Sequence, residues 1–254
     1  MKHLHLRSGF ICLLGGLLNG IFAAIPAFAQ ANNSACGPLA NAFGPFDYRT
    51  ERGNSLYLVE STHFLPYIEM LIRGHTSTTP GDDIDYTLRA FPNHHRALLA
   101  MMRLGEKEKT PKPLSSRYTV ECWFERAVLF RPDDTTVRMI FSTYLSKNKR
   151  IPEAVTQLEQ AAAIAKDNAF THYNIGLVYF DMKIYDKALG QAHTALALGF
   201  ERTELRDLLE KAGQWKYPAT APAARSEVMP AESPAAVITA PPAEAPALPA
   251  KPEQ

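Results

Sequence analysis

A 34-residue period in the second half of the chain constrains the fold more than any other sequence feature. Residues 135–168 align without a gap with residues 169–202. The paired positions include Phe141 with Ile175, Ser142 with Gly176, Leu145 with Tyr179, Ala154 with Ala188, Leu158 with Ala192 and Ala161 with Ala195. Such a period is typical of two antiparallel helices and their turns, and each unit covers its apolar face only when neighbouring units stack on it. The repeat therefore predicts an all-α stack of helix pairs.

The most informative stretch of the second unit is His172 to Tyr179, which reads His-Tyr-Asn-Ile-Gly-Leu-Val-Tyr. This stretch resembles the W-x2-L-G-x2-Y box of the tetratricopeptide repeat (TPR) family, with His in place of Trp and Ile in place of Leu. Tyr185 and Ala188 follow at the family's spacing, whereas the first unit departs further and has Ser142 in place of Gly. The resemblance implies a right-handed α-solenoid with a concave groove that binds a partner.

A degenerate unit precedes the two clear ones, and a capping helix follows them. Phe124, Ala127 and Pro132 match the second half of a repeat, while an insertion over residues 105–116 interrupts the period. After the last unit, residues 203–213 carry leucines on one helical face and charges on the other, as expected of a terminal lid. The sequence thus predicts about three helix pairs. The predicted segments are 93–134 (degenerate unit, first helix over 93–104), 135–168, 169–202 and 203–217 (capping helix).

The start of the chain, residues 1–29, has the pattern of an export signal. Lys2 and Arg7 give a positive start, residues 10–25 are largely apolar, and Ala27-Phe28-Ala29 has the small-x-small pattern of a cleavage site. We therefore expect cleavage after Ala29 and a periplasmic protein. An uncleaved membrane anchor is the alternative, although about 16 apolar residues fall short of the roughly 20 that a span requires.

Two cysteines, Cys36 and Cys122, remain after removal of the signal segment. An even pair in an exported chain predicts a disulfide, and two free buried thiols are the alternative. No Cys-x-x-Cys motif suggests a redox catalyst.

The composition changes again over residues 218–254, which are rich in Pro and Ala and contain no Gly or aromatic residue. Proline removes backbone donors and favours extended conformations, so no core is expected here. We expect a disordered tail, with a spacer or a Pro-rich ligand for another protein as the functional alternative.

The resemblance to the TPR family implies that the first helix of each pair lines the groove. Tyr173, Leu177 and Phe180 are four and three positions apart, so they share one helical face. The apolar to aromatic lining favours a hydrophobic partner segment over an acidic C-terminal tail, which would require more Lys and Arg. The alternative is that these aromatic residues bury against the next helix. The candidate contacts are Phe170, Tyr173, Asn174, Leu177 and Phe180 in the second unit and Met139, Thr143 and Lys147 in the first.

Residues 30–92 show little periodicity, and we expect short helices and loops, with helices over 56–59 and 66–73. The carboxylates and imidazoles between Asp82 and His95 have the chemistry of a metal site or an acid-base pair. However, His94 and His95 are adjacent, and their side chains would point about 100° apart on a helix. The two imidazoles could therefore not readily bind the same ion. Helix capping by Asp85 and Asn93 is the favoured interpretation.

The stretch from Asp83 to His95 also resembles a group of exported bacterial repeat proteins whose mature part begins with a Cys-Gly segment like Cys36-Gly37. This resemblance implies no particular activity. It marks a second candidate surface beside the first repeat helix, formed by Asp83, Asp85, His94, His95 and Arg96.

Composition and motifs narrow the function further. The chain has 27 Lys and Arg against 26 Asp and Glu, so no basic excess favours nucleic-acid binding. We expect a periplasmic TPR scaffold or adaptor that binds a protein or peptide in its groove, with no enzymatic activity, cofactor, metal or membrane span after signal cleavage. The alternatives are a metal-dependent or acid-base enzyme using residues 82–95, and a structural spacer that acts through its Pro-rich tail.

Overall fold

The computed structural model describes residues 36–75 and 78–217, and within these residues all regular secondary structure is helical. The predicted signal peptide and Pro-rich tail lie outside the described residues. Across the described ranges, no helix has the length and apolar character needed to cross a membrane. The described part of the chain forms ten helices: α1 (Asn54–His63), α2 (Pro66–Glu69), α3 (Pro80–Ala90), α4 (His95–Glu108), α5 (Val120–Phe130), α6 (Thr135–Lys147), α7 (Ile151–Ala165), α8 (Ala169–Asp181), α9 (Tyr185–Ala197) and α10 (Glu204–Lys211).

The 34-residue period of the sequence is also a structural period. Helices α6 and α8 begin at Thr135 and Ala169, and α7 and α9 begin at Ile151 and Tyr185, so both pairs keep the offset of the sequence repeat. The residue before each first helix caps it, because the Asp134 and Asn168 side chains accept backbone amides of the first turn. The turn after each first helix contains a lysine with positive φ, at 63° for position 149 and 59° for position 183. The predicted all-α, solenoid-like fold is therefore confirmed.

Small residues allow the helices of the stack to approach closely. Ala154, Ala161 and Ala188 are fully buried between α6, α7, α8 and α9. At Gly176 a Cβ atom would lie 2.4 Å from Leu205 Cδ2 of α10. The glycine thus provides the space into which the capping helix packs.

The first helices follow one another along the stack. Helix α4 contacts α6, α6 contacts α8, and α8 contacts α10. Helix α3 packs against α1 and α4, so the N-terminal region continues the helical stack.

The N-terminal half contains more helix than the sequence pattern predicts. Helix α1 is longer than the predicted 56–59, α2 stops at Glu69, and α3 begins at Pro80, before Asp85, the residue predicted to cap a helix. Helix α3 forms because Pro80 occupies its first turn and Ile84 and Leu88, one turn apart, are both fully buried. Helix α4 begins after His94, whose ring caps it, and continues through the first part of the predicted insertion to Glu108.

A segment without regular structure, residues 36–50, runs across the stack and is called the N-terminal arm below. The predicted disulfide is present and joins Cys36 of the arm to Cys122 of α5. Nearby, Nη1 of Arg126 donates to the carbonyl oxygens of Cys36, Gly37 and Pro38 at 2.8, 3.1 and 2.8 Å. Further along, the Phe46 amide donates to the Ala90 carbonyl at the end of α3 at 2.9 Å. The arm therefore connects α3 with α5.

Candidate partner-binding surface

The solvent-facing side chains of α4, α6 and α8 form one surface, called the first-helix face below. Helices α4, α6 and α8 start at His95, Thr135 and Ala169, and α6 contacts both of its neighbours, so equivalent positions lie in rows across the face. The rows are Arg96, Thr136 and Phe170; Leu99, Met139 and position 173, where the tyrosine is buried; Arg103, Thr143 and Leu177; and Lys107, Lys147 and Asp181. The face therefore changes from cationic on α4 to apolar on α8.

The apolar end of this face consists of predicted groove residues. Phe170 is 56% exposed, and its ring lies 5.8 Å from that of Phe200. Leu177 and Phe180 are half-buried, so each contributes both to packing and to the surface. The side-chain amide of Asn174 donates to the Phe170 carbonyl at 2.9 Å within α8. The amide nitrogen of Asn174 is therefore hydrogen-bonded within α8, and its amide oxygen is the atom suited to accept a hydrogen bond from a partner.

The predicted contact Tyr173 does not belong to the open surface. It is only 5% exposed, and its ring lies 4.8 Å from that of Phe200, in the segment that leads to α10. Its hydroxyl donates to Glu204 at 3.0 Å, and burial together with this carboxylate raises the pKa of Tyr173. Tyr173 thus stabilises the docking of the capping helix, as in the alternative interpretation of the aromatic residues.

The middle of the face, on α6, is more polar. The Thr143 hydroxyl donates to the Met139 carbonyl at 3.1 Å, and the residue is half-buried. Lys147 forms an ion pair with Glu106 of α4 at 2.7 Å, and both side chains are about half exposed. Such a pair contributes roughly 0 to 1 kcal/mol, so it is easily opened by a ligand.

Sequence reasoning assigned Arg96 to a second surface and missed Arg103 and Lys107, which form the cationic end on α4 together with it. Arg96 pairs with Glu69, and this hydrogen bond raises the pKa of Arg96 and lowers that of Glu69. Lys107 donates to the Leu71 carbonyl at 2.7 Å, and Arg103 is exposed.

The spacing of the helices explains why the cationic end was missed. Helix α4 starts at His95 and α6 at Thr135, an offset longer than the regular period, so a search at that period does not align their positions. The positive-φ lysines, Lys109 after α4 and Lys149 after α6, are the feature from which the longer offset can be found.

The predicted second surface is not a single surface. Asp83, Asp85 and His94 are at most 1% exposed, so only His95 and Arg96 reach solvent. The five side chains also have different partners, which keep them apart. Asp83 contacts His63 at 2.9 Å, Asp85 accepts the Arg117 amide at 2.7 Å, His94 contacts Glu60 at 3.0 Å, His95 contacts Asp134 at 2.9 Å, and Arg96 contacts Glu69.

His94 is a structural residue of the N-terminal half. Its Nδ1 accepts the Ala97 amide and caps α4, so the ring proton lies on Nε2 and is donated to Glu60. Its ring also packs against the Tyr48 ring, with centroids 4.0 Å apart and the planes tilted by 30°. Burial lowers the pKa of His94, more than the hydrogen bond to Glu60 raises it. The predicted caps Asn93 and Asp85 do not act as such, since His94 caps α4 and Asp85 lies within α3.

Asn93 instead organises a buried polar cluster where the arm meets α6. Its amide nitrogen donates to Asp47 at 2.7 Å and to Asp134 at 2.9 Å, while its oxygen accepts the Tyr48 amide. Burial raises the pKa of Asp47, but hydrogen bonds from Arg49 and Asn93 lower it more, so it lies well below its usual value. The cluster therefore holds ionised carboxylates in fixed positions and joins distant segments.

The acidic and histidine residues of the enzyme alternative are not brought together as metal ligands. Among the described residues, the one group with suitable spacing for a metal consists of Cys36, Cys122 and Glu125. The two cysteines form a disulfide and have no thiolate to offer a metal. The geometry gives the metal-dependent interpretation no support.

Comparison with known proteins agrees with the repeat geometry. Residues 144–183 match the family model described as a TPR repeat. The match begins near the end of α6, spans α7 and α8, and ends at the positive-φ Lys183 before α9. No curated protein matches the chain. The match and the shared 34-residue register of α6 to α9 support the resemblance of this part of the chain to tetratricopeptide repeats.

Proposed function

We propose that this protein is a periplasmic scaffold that binds a protein or peptide partner on its first-helix face. The observation that carries this proposal is the pair Phe170 and Leu177 on the apolar end of that face. Phe170 is more than half exposed although the ring is large and apolar, and Leu177 is only partly covered. Exposed apolar groups within a rim of polar residues mark a binding surface.

Binding would proceed by complementarity with a preformed surface. A hydrophobic side chain of the partner would cover Phe170 and Leu177, and burying such a side chain contributes about 1.5 to 3 kcal/mol. Asn174 would accept a backbone hydrogen bond from the partner and fix its register. The helices are held by their own core, so little ordering energy is lost on binding.

The proposed location is supported by two features. The first is the export-signal pattern of residues 1–29, and the second is the disulfide between Cys36 and Cys122, a bond that persists in oxidising compartments. Fractionation of cells that produce the full chain tests this part. We expect a mature protein that begins at Gln30 in the periplasmic fraction, and an intact chain in the cytoplasm would refute the location.

A site-specific crosslinking experiment tests the binding surface. A photo-reactive amino acid placed at Phe170 or Leu177 of the full chain is expected to give a discrete crosslinked product in the envelope. Leu196 of α9 is the matched control, since it is an exposed leucine (41%) on a second helix, outside the face.

The identified partner is then purified and its affinity measured. Leu177→Ser is expected to weaken binding about tenfold or more, because one buried apolar contact is lost, whereas Leu196→Ser keeps wild-type affinity. Equal loss in both variants, or crosslinking from position 196 alone, would refute the proposed surface. Circular dichroism of each variant confirms that it remains folded.

A further inference from the structure

The disulfide between Cys36 and Cys122 has a carboxylate beside it. Oε2 of Glu125 lies 2.9 Å from Sγ of Cys36. One ligand atom from each of the three residues lies within 4.8 Å of the other two, which makes this the one group with the spacing of a metal site among the described residues. In the oxidised chain the two sulfurs are bonded to each other and are not available to a metal. Reduction changes this chemistry, because it converts the pair into two thiolate ligands.

The positions of these three residues do not depend on the disulfide alone. Cys122 and Glu125 lie three positions apart on α5, so their side chains share one helical face. The chain at Cys36 is held to the same helix by Arg126, which donates to its carbonyl oxygen at 2.8 Å and to the next two carbonyl oxygens. The reduced side chain at position 36 therefore stays close to the other two ligands.

A cleft of about 400 Å³ between α5 and α7 gives access to the group. Cys36 and Glu125 both line this cleft, so a metal ion can enter from the solvent. The same opening admits a water molecule as a further ligand.

The charges at the cleft suit a divalent cation. Two thiolates and a carboxylate carry three negative charges, of which such a cation offsets two. Arg126, which also lines the cleft, offsets the third. The other lining ions, Glu121 and Glu153, both pair with Arg150. Thiolate ligands favour Zn²⁺ over Mg²⁺ and Ca²⁺, which prefer oxygen.

We propose that the reduced chain binds one Zn²⁺ through the thiolates of Cys36 and Cys122 and a carboxylate oxygen of Glu125. Three protein ligands and one water complete the tetrahedral geometry that zinc prefers. Zn–S bonds of about 2.3 Å place the two sulfurs about 3.8 Å apart, within the 4.8 Å that the ligand atoms already span. The ion then replaces the disulfide as the link between the N-terminal arm and α5. The site is separate from the first-helix face and does not depend on the function proposed for that face.

The dithiol form of the protein has two sources. A newly made chain carries free thiols until the disulfide closes, and a dithiol reductant regenerates them. One thiolate of the reductant attacks Sγ of Cys122, the more exposed of the two cysteines, and Cys36 leaves as a thiolate. The second thiolate of the reductant then releases Cys122 and closes the reductant's own disulfide. Two electrons thus pass to the protein, and the two protons of the dithiol pass to the solvent when Zn²⁺ binds the thiolates.

Titration with Co²⁺ tests the proposal, because thiolate ligands give this ion a charge-transfer band in the near ultraviolet. The mature chain is reduced with a phosphine, freed of the reductant without oxygen and compared with the oxidised chain. We expect the reduced chain to develop the band with one Co²⁺ per chain and to lose it when Zn²⁺ is added, whereas the oxidised chain shows no band. A reduced chain without the band, or an oxidised chain with the same band, would overturn the proposal.

Variants test the ligand set. Glu125→Gln is expected to weaken Zn²⁺ binding to the reduced chain about tenfold or more, because a neutral amide replaces an anionic ligand. The matched control is Glu121→Gln, which removes a charge from the same helix and the same cleft and should keep the wild-type affinity. Cys36→Ala with Cys122→Ala should abolish the Co²⁺ band. Equal affinities of the two glutamine variants would overturn the proposal, and circular dichroism confirms that each variant is folded.

The role of the ion as a link has its own readouts. Saturating Zn²⁺ is expected to slow reoxidation of the reduced chain by oxidised glutathione about tenfold or more, as measured by alkylation and mass spectrometry, because bound thiolates are not free to attack. The same Zn²⁺ should raise the urea midpoint of the reduced chain and leave that of the double alanine variant unchanged. An unchanged reoxidation rate, or an unchanged urea midpoint of the reduced chain, would overturn the proposal.

Discussion

Removing the disulfide should lower the free energy of unfolding by an amount that can be worked out from the chain. Cys36 and Cys122 are 86 residues apart, so the bond closes a long loop in the unfolded state. The chain-entropy relation for a loop of this length gives about 4 to 5 kcal/mol at 25 °C, which is an upper value because unfolded chains retain some structure. We expect the double variant Cys36→Ala with Cys122→Ala to lose about 2 to 4 kcal/mol.

The folded state should survive this change, because other contacts hold the arm. Arg126 still binds three arm carbonyls, and Asn93 still binds the Tyr48 amide and Asp47. The effect should therefore come mainly from the unfolded state.

Urea unfolding of the oxidised wild type, the wild type reduced by a dithiol and the double variant measures the effect. The last two proteins should agree, and both should unfold at lower urea than the oxidised form. Hydrogen exchange gives a second readout: the Phe46 amide, bonded to the Ala90 carbonyl, should stay protected in all three proteins. A loss below about 0.5 kcal/mol, or an unprotected Phe46 amide in the folded double variant, would refute the reasoning.

Two further predictions concern the core. Gly176→Ala and its matched control Gly190→Ala both gain about 1 kcal/mol of helix propensity, but the new Cβ at 176 meets Leu205, while that at 190 meets nothing within 4 Å. By urea unfolding we expect Gly176→Ala to be about 1 to 3 kcal/mol less stable than the control. Equal stability of the two variants would contradict the close packing of α10. Burial lowers the folded-state pKa of His94 below its ordinary 6.5, so the unfolded chain binds the proton more readily than the folded chain. The free energy of unfolding should therefore fall as the pH drops below about 6.5, by at most about 1.4 kcal/mol per pH unit, until the folded-state pKa is passed. His94→Gln should flatten this slope between pH 7 and 5, and an unchanged slope would show that another group controls it.

The repeats were predictable because their signal is local and periodic. Matching small and apolar residues at the 34-residue offset mark α6 to α9, and the amphipathic segment 203–213 corresponds to α10. The cap residues Asp134 and Asn168 occupy the same position in their units. The start of α3 was missed because its turn signals, Gly81 and a run of aspartates, resemble a loop, and burial of Ile84 and Leu88 against other helices outweighs them.

The candidate site was only partly predictable, because exposure depends on segments far apart in the chain. Phe170 and Tyr173 share one helix and one predicted role, yet one is open and the other is covered by Phe200 and bonded to Glu204. His94 and His95 are adjacent and have the same side-chain chemistry, but His94 is fully buried and caps α4, while His95 binds Asp134.

The sequence by itself determined that the chain forms stacked helix pairs, since each repeat encodes its helices, caps and turns within one 34-residue period. The tertiary structure decided which side chains remain accessible. Asn93 joins Asp134 from 41 residues away, and Arg126 holds Cys36 from 90 residues away. No local pattern encodes such contacts, because burial is a property of the assembled stack and of the segments that cross it.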